Sequence, residues 1–356
     1  MVKKIFLITG GAGFVGSHIA IRLKECNENT EVIALDNLKR RGSELNLPRL
    51  KDHGVHFLHG DIRNREDLES INQVDCIIEC SAEPSVLAGY QDSAGYVLNT
   101  NLFGTVNCLE LAKKYGSDFI FLSTSRIYPI EAINSIRCRE TDKRYLINAQ
   151  QELPGVTEKG ISETFPLHGT RSLYGATKLC SEFIIREYID MYGIRGVTNR
   201  CGLLTGPWQM GKIDQGVIAL WVAKHIFEGE LNYIGFGGEG KQVRDMLHVE
   251  DLFSLLSSQL KNLNEINGQT FNVGGGIGNS LSLIELTELC RKYTGSSIRI
   301  GRVEDNRQGD IKIYVTDNGL VSETLGWQPA IGCEQIIEEI SNWIKDNEEL
   351  LRPIFS

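Results

Sequence analysis

The sequence has no excess of positive charge and no long apolar run. Its 37 Lys and Arg residues are outnumbered by 46 Asp and Glu residues, which gives a formal net charge of −9. Such a chain is repelled by nucleic acid and by anionic membranes, so we expect neither as a partner. No apolar stretch approaches the roughly 18 residues of a membrane span. The apolar run 5–8 near the N-terminus is also too short for a signal-peptide core.

The sequence also lacks CxxC pairs among its nine cysteines. The closest two, Cys76 and Cys80, lie in an apolar stretch typical of a strand, so free thiols in a reducing cytoplasm are predicted. His53, His56 and His59 resemble a row of metal ligands. On a strand, however, side chains three residues apart lie on opposite faces, so we predict no metal site.

The 356 residues predict two domains or one large α/β unit, at roughly 100–200 residues per domain. In the first third, short apolar runs alternate with amphipathic stretches, which is typical of a doubly wound parallel sheet. The predicted strands are 5–8, 32–35, 55–58, 76–78 and 119–122, with helices at 15–26, 65–71 and 97–115. Further along we predict a strand at 195–199 and helices at 173–191, 216–228, 283–293 and 333–347. Residues 129–169 are polar and weakly periodic, and a stretch this long is expected to be functional or to carry structure of its own.

A glycine-rich turn follows the first predicted strand. Gly11, Gly13 and Gly16 satisfy G-x-G-x-x-G, and the pattern also extends back to Gly10. Such glycines allow a tight turn, close approach to a pyrophosphate and close packing of helix on strand. Asp36, twenty residues after Gly16, ends the second predicted strand, where a carboxylate accepts hydrogen bonds from a ribose. The turn therefore predicts a dinucleotide site.

Asp36 also bears on the choice between NAD and NADP. Its charge repels the extra phosphate of NADP, which favours NAD. The basic run Lys39, Arg40 and Arg41 keeps NADP open as the alternative. Asp61 follows the third predicted strand and is either an adenine contact or a turn residue.

A second motif, Tyr174-x-x-x-Lys178, lies in the predicted helix 173–191. Residues four apart share one helix face, so the lysine ammonium is expected near the tyrosine hydroxyl, where it stabilises a phenolate. Such a tyrosine can take a proton from a sugar hydroxyl. Thr124, at the carboxyl end of the fifth predicted strand, is our choice to orient that hydroxyl, with Ser123 and Ser125 as rivals.

Together these motifs resemble the extended short-chain dehydrogenase/reductase family over nearly the whole chain. The resemblance includes Asn101-Leu102-Phe103-Gly104-Thr105, the segment 244–251 that begins Arg244-Asp245, Arg307-Gln308-Gly309-Asp310, and Leu325-Gly326-Trp327-Gln328-Pro329. It implies a Rossmann NAD-binding domain (1–199 and 241–273) and a smaller, discontinuous α/β domain for a nucleotide sugar (200–240 and 274–356). It also implies a homodimer or homotetramer joined by the helices near 97–115 and 173–191.

The resemblance further implies which residues bind. The cofactor contacts are Gly10, Gly13, Phe14, Val15, Gly16, Asp36, Asn37, Asp61, Ile62, Ser81, Ala82 and Asn101, together with Tyr174 and Lys178. The substrate contacts are Thr124, Gln215, Arg244 and Arg307, with both arginines on the diphosphate. Glu83 departs from the family pattern, and we expect it either to tune the choice of substrate or to cap the next helix. A guanidinium fork suits phosphate oxygens, which agrees with that role.

The choice of reaction depends on two positions. Dehydratases of this family carry Asp-Glu where this chain has Ser125-Arg126, and its decarboxylases usually carry Glu at the position of Arg126, so both are disfavoured. An epimerase or a net reductase remains, and Asp36, which favours tightly held NAD, favours the epimerase.

Several segments resemble the CDP-paratose 2-epimerases, also called CDP-tyvelose epimerases. They are 140–145, Asp214-Gln215-Gly216, 240–245 and 279–283. We therefore predict 2-epimerisation of CDP-paratose to CDP-tyvelose through a transient 2-keto sugar. The alternatives are a C4 epimerase or keto-reductase on a UDP-, GDP- or dTDP-sugar, and a non-catalytic NAD-binding protein. The chain departs from the wider family at Glu79-Cys80-Ser81-Ala82-Glu83, where a His-x-Ala-Ala sequence is common, and at Leu203, where many relatives carry asparagine.

Overall fold

The computed structural model describes residues 4–27, 29–90, 93–211 and 215–355. In chain order the strands are β1 (Ile5–Thr9), β2 (Glu31–Asp36), β3 (His56–His59), β4 (Cys76–Glu79), β5 (Asp118–Thr124), β6 (Cys138–Glu140), β7 (Tyr145–Ile147), β8 (Val156–Thr157), β9 (Gly160–Ile161), β10 (Gly196–Cys201), β11 (Leu203–Thr205), β12 (Leu231–Ile234), β13 (Val243–His248), β14 (Thr270–Val273), β15 (Ser280–Ser282), β16 (Ile300–Val303) and β17 (Ile313–Tyr314). The α-helices are α1 (Phe14–Cys26), α2 (Leu47–Asp52), α3 (Arg65–Glu69), α4 (Ala94–Leu98), α5 (Gly104–Tyr115), α6 (Ile130–Asn134), α7 (Leu173–Tyr192), α8 (Val217–Ile226), α9 (Val249–Lys261), α10 (Leu283–Thr294), α11 (Gly319–Leu325), α12 (Cys333–Asp346) and α13 (Glu348–Phe355).

The chain divides into two compact units. The first unit contains residues 1–127, 173–200 and 253–270, and the second contains 128–172, 201–252 and 271–356. Both units are therefore discontinuous in sequence.

The first unit is built on a parallel sheet. Its strands lie in the order β10-β5-β4-β1-β2-β3, and β14, which starts in this unit at Thr270, is the seventh strand beside β10. The sequence explains the arrangement, because β4 and β5 are continuous buried runs of the kind found in sheets covered on both faces. The strand order reverses between β1 and β4, which is the Rossmann switch point where ligands bind. The predicted α/β class with a doubly wound parallel sheet is confirmed.

One face of this sheet packs against α3, α5 and α7. Leu7 of β1 and Phe119 of β5 join Leu109 of α5 and Ile185 of α7 in one buried cluster. The predicted helix at 97–115 is interrupted, because α4 and α5 are separated by a π-helical segment, Asn99–Phe103. The helix predicted at 173–191 is confirmed as α7.

The second unit contains a mixed sheet around β13. Strand β13 pairs in parallel with β11 and β17 and antiparallel with β15. Helix α10 begins at a capping box, in which Ser282 and Glu285 exchange hydrogen bonds with each other's backbone. The stretch 129–169 carries structure of its own, namely α6 and the two hairpins β6-β7 and β8-β9.

Across the described ranges, no helix is both long enough and apolar enough to cross a membrane.

Candidate active site

The glycine-rich loop joins β1 to α1 at the switch point of the sheet. Gly10 has a φ of +64°, which favours glycine. A Cβ on Gly16 would lie 2.1 Å from the Gly10 carbonyl oxygen, and one on Gly11 would lie 2.6 Å from Cα of Ala34 in β2. Only glycine fits at both positions, so the loop and the first turn of α1 lie directly against the sheet.

The N-terminus of α1 suits a pyrophosphate. The N-cap residue, Gly13, has no side chain that could cap the helix, and the first turn of α1 contains no acidic residue. The amides of Phe14 and Val15 begin the helix, where N–H groups have no intrahelical acceptor, and the helix dipole favours an anion. This geometry fits the pyrophosphate of NAD.

Asp36 lies at the carboxyl end of β2, next to the loop. Its carboxylate accepts hydrogen bonds from the amide of Ala12 at 3.1 Å and from that of Leu38 at 2.8 Å. Burial raises the pKa of Asp36, and these two hydrogen bonds act against the rise. An acceptor fixed here fits the ribose hydroxyls. Lys39 belongs to the basic run that kept NADP as the alternative cofactor. Its ammonium lies 3.1 Å from the ring centroid of Tyr96.

Asp61 and Asn37 form a second polar cluster at the ends of β3 and β2. The Asn37 amide donates to the Asp61 carboxylate at 2.8 Å, and Arg63 Nε donates to the same carboxylate at 3.0 Å. Burial alone raises the pKa of Asp61, but the hydrogen bonds from Arg63 and Asn37 outweigh it and lower the pKa to about 2. The side chain therefore stays ionised. The neighbouring Ile62 carbonyl accepts from the Asn107 amide at 2.8 Å. The predicted adenine contact of Asp61 stays a prediction.

The segment after β4 lies next to the glycine loop. A Cβ on Gly10 would lie 3.0 Å from the Ser81 nitrogen, so Ser81 is adjacent to the loop, with Ala82 directly after it. The Glu83 amide donates to Asn101 Oδ1 at 2.7 Å, and Asn101 Nδ2 contacts the Glu83 carbonyl at 3.1 Å. The Glu83 carboxylate accepts from the Ser85 amide at 3.2 Å, which stabilises a local turn.

Asn101 also connects this segment to the catalytic helix. Its Nδ2 lies 3.3 Å from Thr177 Oγ1, and that hydroxyl donates to the Tyr174 carbonyl at 2.8 Å. Asn101 is fully buried in the π-helical segment. It therefore fixes the position of Tyr174, in addition to its predicted role as a cofactor contact.

The catalytic candidates lie on α7 and at the end of β5. Tyr174 is half-buried in the first turn of α7, and Lys178 is buried one turn later with its ammonium 3.9 Å from the Phe121 ring centroid. Thr124 ends β5, and its hydroxyl oxygen accepts from the Arg126 amide at 3.2 Å, which leaves its proton for another acceptor. Ser123 donates instead to Glu182 at 2.5 Å in the core, which favours Thr124 over Ser123.

A buried ion pair below the catalytic turn was missed in the sequence. Arg200 on β10 donates from Nη2 to the Glu182 carboxylate at 2.8 Å, and the two side chains are only 5% and 3% exposed. Glu182 follows Lys178 by four residues, and this helical spacing was the available signal. Because the Glu182 carboxylate also accepts the hydrogen bond of Ser123, the ion pair fixes the position of the end of β5.

A second missed residue is Glu79, the last residue of β4. It is fully buried, its Oε1 lies 2.6 Å from Thr105 Oγ1, and its Oε2 has no hydrogen-bond partner among the described residues. Burial raises the pKa of Glu79 to about 7, while the positive charge of Lys178 and the Thr105 hydrogen bond act in the opposite direction. An acid that ends an otherwise apolar strand was the available signal.

Three of the predicted substrate residues, Gln215, Arg244 and Arg307, belong to the second unit. Arg244 on β13 donates to the Val243 carbonyl at 2.7 Å and to the Ile311 carbonyl at 2.6 Å, and lies 3.5 Å from the Asp310 carboxylate. The Asp310 amide donates to the Arg307 carbonyl at 3.2 Å and closes a turn. Because Arg244 lies beside Asp310, Arg244 and Arg307 lie in the same region of the second unit. Gln215 is half-buried, whereas Asp214 lies outside the described residues.

The comparison with protein families decides the assignment. Residues 6–274 match the model of the NAD dependent epimerase/dehydratase family. The chain belongs to this family. The predicted enzyme class, an NAD-dependent epimerase, is confirmed at this level, and so is NAD as the cofactor.

Relatives of the chain match it over nearly its whole length. The chain is 30% identical over 345 residues to a CDP-paratose 2-epimerase of Salmonella typhi, which covers 95% of the chain and 98% of the relative. It is also 30% identical over 349 residues to a putative UDP-glucose 4-epimerase of Methanocaldococcus jannaschii, covering 96% and 99%. Among solved structures, a Thermus thermophilus UDP-glucose 4-epimerase in complex with NAD superposes with a TM-score of 0.74 at 25% identity, covering 96% and 99%.

Proposed function

We propose that this chain is a nucleotide-sugar epimerase that converts CDP-paratose to CDP-tyvelose by inverting C2. The observation that carries the proposal is the set of groups at the end of β5 and on α7. Tyr174, Lys178 and Thr124 supply a proton acceptor, a cation and a hydroxyl, while Ser125 and Arg126 supply no carboxyl for eliminating water. The similarity to the Salmonella typhi CDP-paratose 2-epimerase over 95% of the chain supports the choice of substrate.

The chain's own residues account for the proton chemistry. When bound, NAD supplies a hydride acceptor that is regenerated in each turnover. Tyr174, as the phenolate, takes the proton of the C2 hydroxyl, and Thr124 orients that hydroxyl. Lys178 stabilises the phenolate by its charge. After the 2-keto sugar has turned its other face, Tyr174 returns the proton to the new hydroxyl.

The residues that we assign to the diphosphate, Arg244 and Arg307, lie in the second unit. Two backbone carbonyls fix the Arg244 guanidinium, and Arg307 begins the turn that ends at Asp310. In the proposal, these arginines hold the diphosphate while the sugar rotates.

The proposed function includes a cellular compartment and an oligomeric state for the protein. All nine cysteines are free, which supports the cytoplasm as its compartment. Exposed apolar side chains on α7 and just before α5 support a homodimer or homotetramer: Phe103 (55% exposed), Phe183 (53%) and Met191 (64%).

Proton NMR of CDP-paratose with the purified protein in heavy water, without added NAD, tests the proposal. We expect CDP-tyvelose to form with hydrogen retained at C2. Tyr174→Phe should keep its bound NAD and lose at least 10²-fold in turnover, the contribution typical of a general base. The matched control is Tyr192→Phe at the exposed end of the same helix, which should turn over like the wild type.

A second candidate, 4-epimerisation of a UDP-sugar, is favoured by the equal identity to the Methanocaldococcus jannaschii relative. Turnover of UDP-glucose with unchanged CDP-paratose would replace the first candidate by this one. Stoichiometric consumption of added NADH would instead establish a reductase.

A further inference from the structure

Glu79 and the lysine of the catalytic helix are both buried beside Phe121. Glu79 pairs with Phe121 in the register of β4 and β5, so the two side chains lie on the same face of the sheet. Lys178 lies over the Phe121 ring, and Thr105 of α5 contacts the Glu79 carboxyl. Glu79 is 0% exposed and Lys178 is 1% exposed, so water screens neither group.

The hydrogen bonds of Thr105 indicate which form Glu79 takes. The single proton of the Thr105 hydroxyl has two neighbouring oxygens, Glu79 Oε1 at 2.6 Å and the Asn101 carbonyl at 2.9 Å. A carbonyl can only accept. If Glu79 carries a proton on Oε1, it donates to Thr105, and Thr105 donates to Asn101, so that both contacts are satisfied. An ionised Glu79 would satisfy only one of them.

The second carboxyl oxygen supports the same conclusion. Glu79 Oε2 is buried without a hydrogen-bond partner in the described part of the chain. An ionised carboxylate with such an oxygen is far costlier to bury than a neutral acid. Among the described residues, two titratable groups face Glu79 from the elements packed on it, Lys178 on α7 and Cys108 on α5, while its strand neighbours are Thr9 and Phe121.

We propose that Glu79 is a positioning residue that holds a proton beside Lys178, and that loss of this proton to solvent weakens the stabilisation of the Tyr174 phenolate by Lys178. With Glu79 neutral, the charge of Lys178 acts undiminished on Tyr174. With Glu79 ionised, a negative charge partly cancels it. The ionisation of the catalytic tyrosine therefore depends on a carboxyl that does not touch the substrate. This inference rests on the proposed roles of Tyr174 and Lys178.

Infrared difference spectra of the NAD-bound protein test the proton on Glu79. Wild type minus Glu79→Gln should show the C=O stretch of a protonated carboxyl at pH 6, and the band should disappear as the pH rises through about 7, the pKa of Glu79. In Thr105→Val the band should remain at pH 6 but change in frequency, because the protonated carboxyl loses the hydroxyl that accepts its hydrogen bond. The matched control is Glu110→Gln, which should leave the band unchanged. Glu110 also lies on α5, but its carboxyl is hydrogen-bonded to Tyr188.

Tyrosinate absorbance tests the coupling. The difference between each protein and its Tyr174→Phe counterpart isolates the ionisation of Tyr174. In Glu79→Gln we expect the midpoint about one pH unit below that of the wild type, a roughly tenfold change in the phenolate equilibrium. If Glu79→Gln does not fold, the infrared difference between wild type and Thr105→Val provides the test, because a protonated Glu79 should show its carboxyl band at a different frequency in each protein.

Equal Tyr174 midpoints in the wild type and Glu79→Gln, or the lack of a carboxyl band at pH 6, would overturn the proposal. Neither readout needs a sugar substrate. Failure of the epimerase assay therefore leaves this inference measurable, and its own failure leaves the proposed reaction standing.

Discussion

Removal of Glu182 should destabilise the first unit more than loss of any surface charge. The Glu182 carboxylate receives Arg200 Nη2 at 2.8 Å, Arg200 Nε at 3.1 Å and the Ser123 hydroxyl at 2.5 Å. Glu182→Leu removes the carboxylate that accepts from two nitrogens of the buried Arg200 guanidinium, which costs about 3–5 kcal/mol of unfolding free energy. Replacing both members, Glu182→Leu with Arg200→Met, removes the buried charge together with its partner. The double variant should recover most of that loss, because an apolar pair of similar volume is often as stable as a buried ion pair.

Urea unfolding followed by circular dichroism measures these differences by linear extrapolation. The matched control is Glu69→Gln, which breaks the exposed pair with Arg65, where the two side chains are 70% (Arg65) and 53% (Glu69) exposed. That pair should be worth about 0.3–0.5 kcal/mol. The reasoning fails if Glu182→Leu costs no more than Glu69→Gln, or if the double variant is as unstable as the single one.

Three further predictions concern the cofactor loop, a buried acid and the surface of the first unit. Gly16→Ala should reduce the NAD released on denaturation at least tenfold, because its Cβ would lie 2.1 Å from the Gly10 carbonyl oxygen. Gly278→Ala, which has open space around its Cβ, is the control and should keep full NAD occupancy. An equal loss of NAD in both variants would contradict this prediction. Because burial raises the pKa of Glu79 from 4.5 to about 7, the unfolding free energy of the wild type relative to Glu79→Gln should be highest below pH 4.5. It should fall by about 3 kcal/mol as the pH rises to 7 and then level off, whereas parallel stability curves would exclude the shift. Phe183→Glu should lower the mass measured by light scattering to that of a monomer, and an unchanged mass would place any interface elsewhere.

The sequence predicted the central sheet well because its strands are strongly apolar. The predicted strand at 76–78 is β4, and that at 119–122 lies within β5, because buried parallel strands leave a continuous apolar signal. The glycine loop, Tyr174 and Lys178 were equally visible, since each depends on local spacing.

What the sequence did not reveal depends on tertiary contacts or on very short elements. The π-helical segment Asn99–Phe103 adds a residue to a turn, which a 3.6-residue period does not register. Strands β8 and β9 have only two residues each, too few for any periodicity to show. The carboxyl of Glu79 is neutral only because α5 and α7 exclude water from it.

The discontinuity of the first unit also has a consequence for biosynthesis. Its first segment ends at residue 127, yet β10 and the segment 253–270 must be made before the unit is complete. At about 5–20 residues per second, the ribosome needs about 7 to 30 seconds to travel from residue 127 to residue 270. Until β10 arrives, the outer edge of β5 remains an unpaired strand of the kind that pairs with other chains. A chain that stalls before β10 is therefore a nascent species prone to aggregation and a natural client for chaperones.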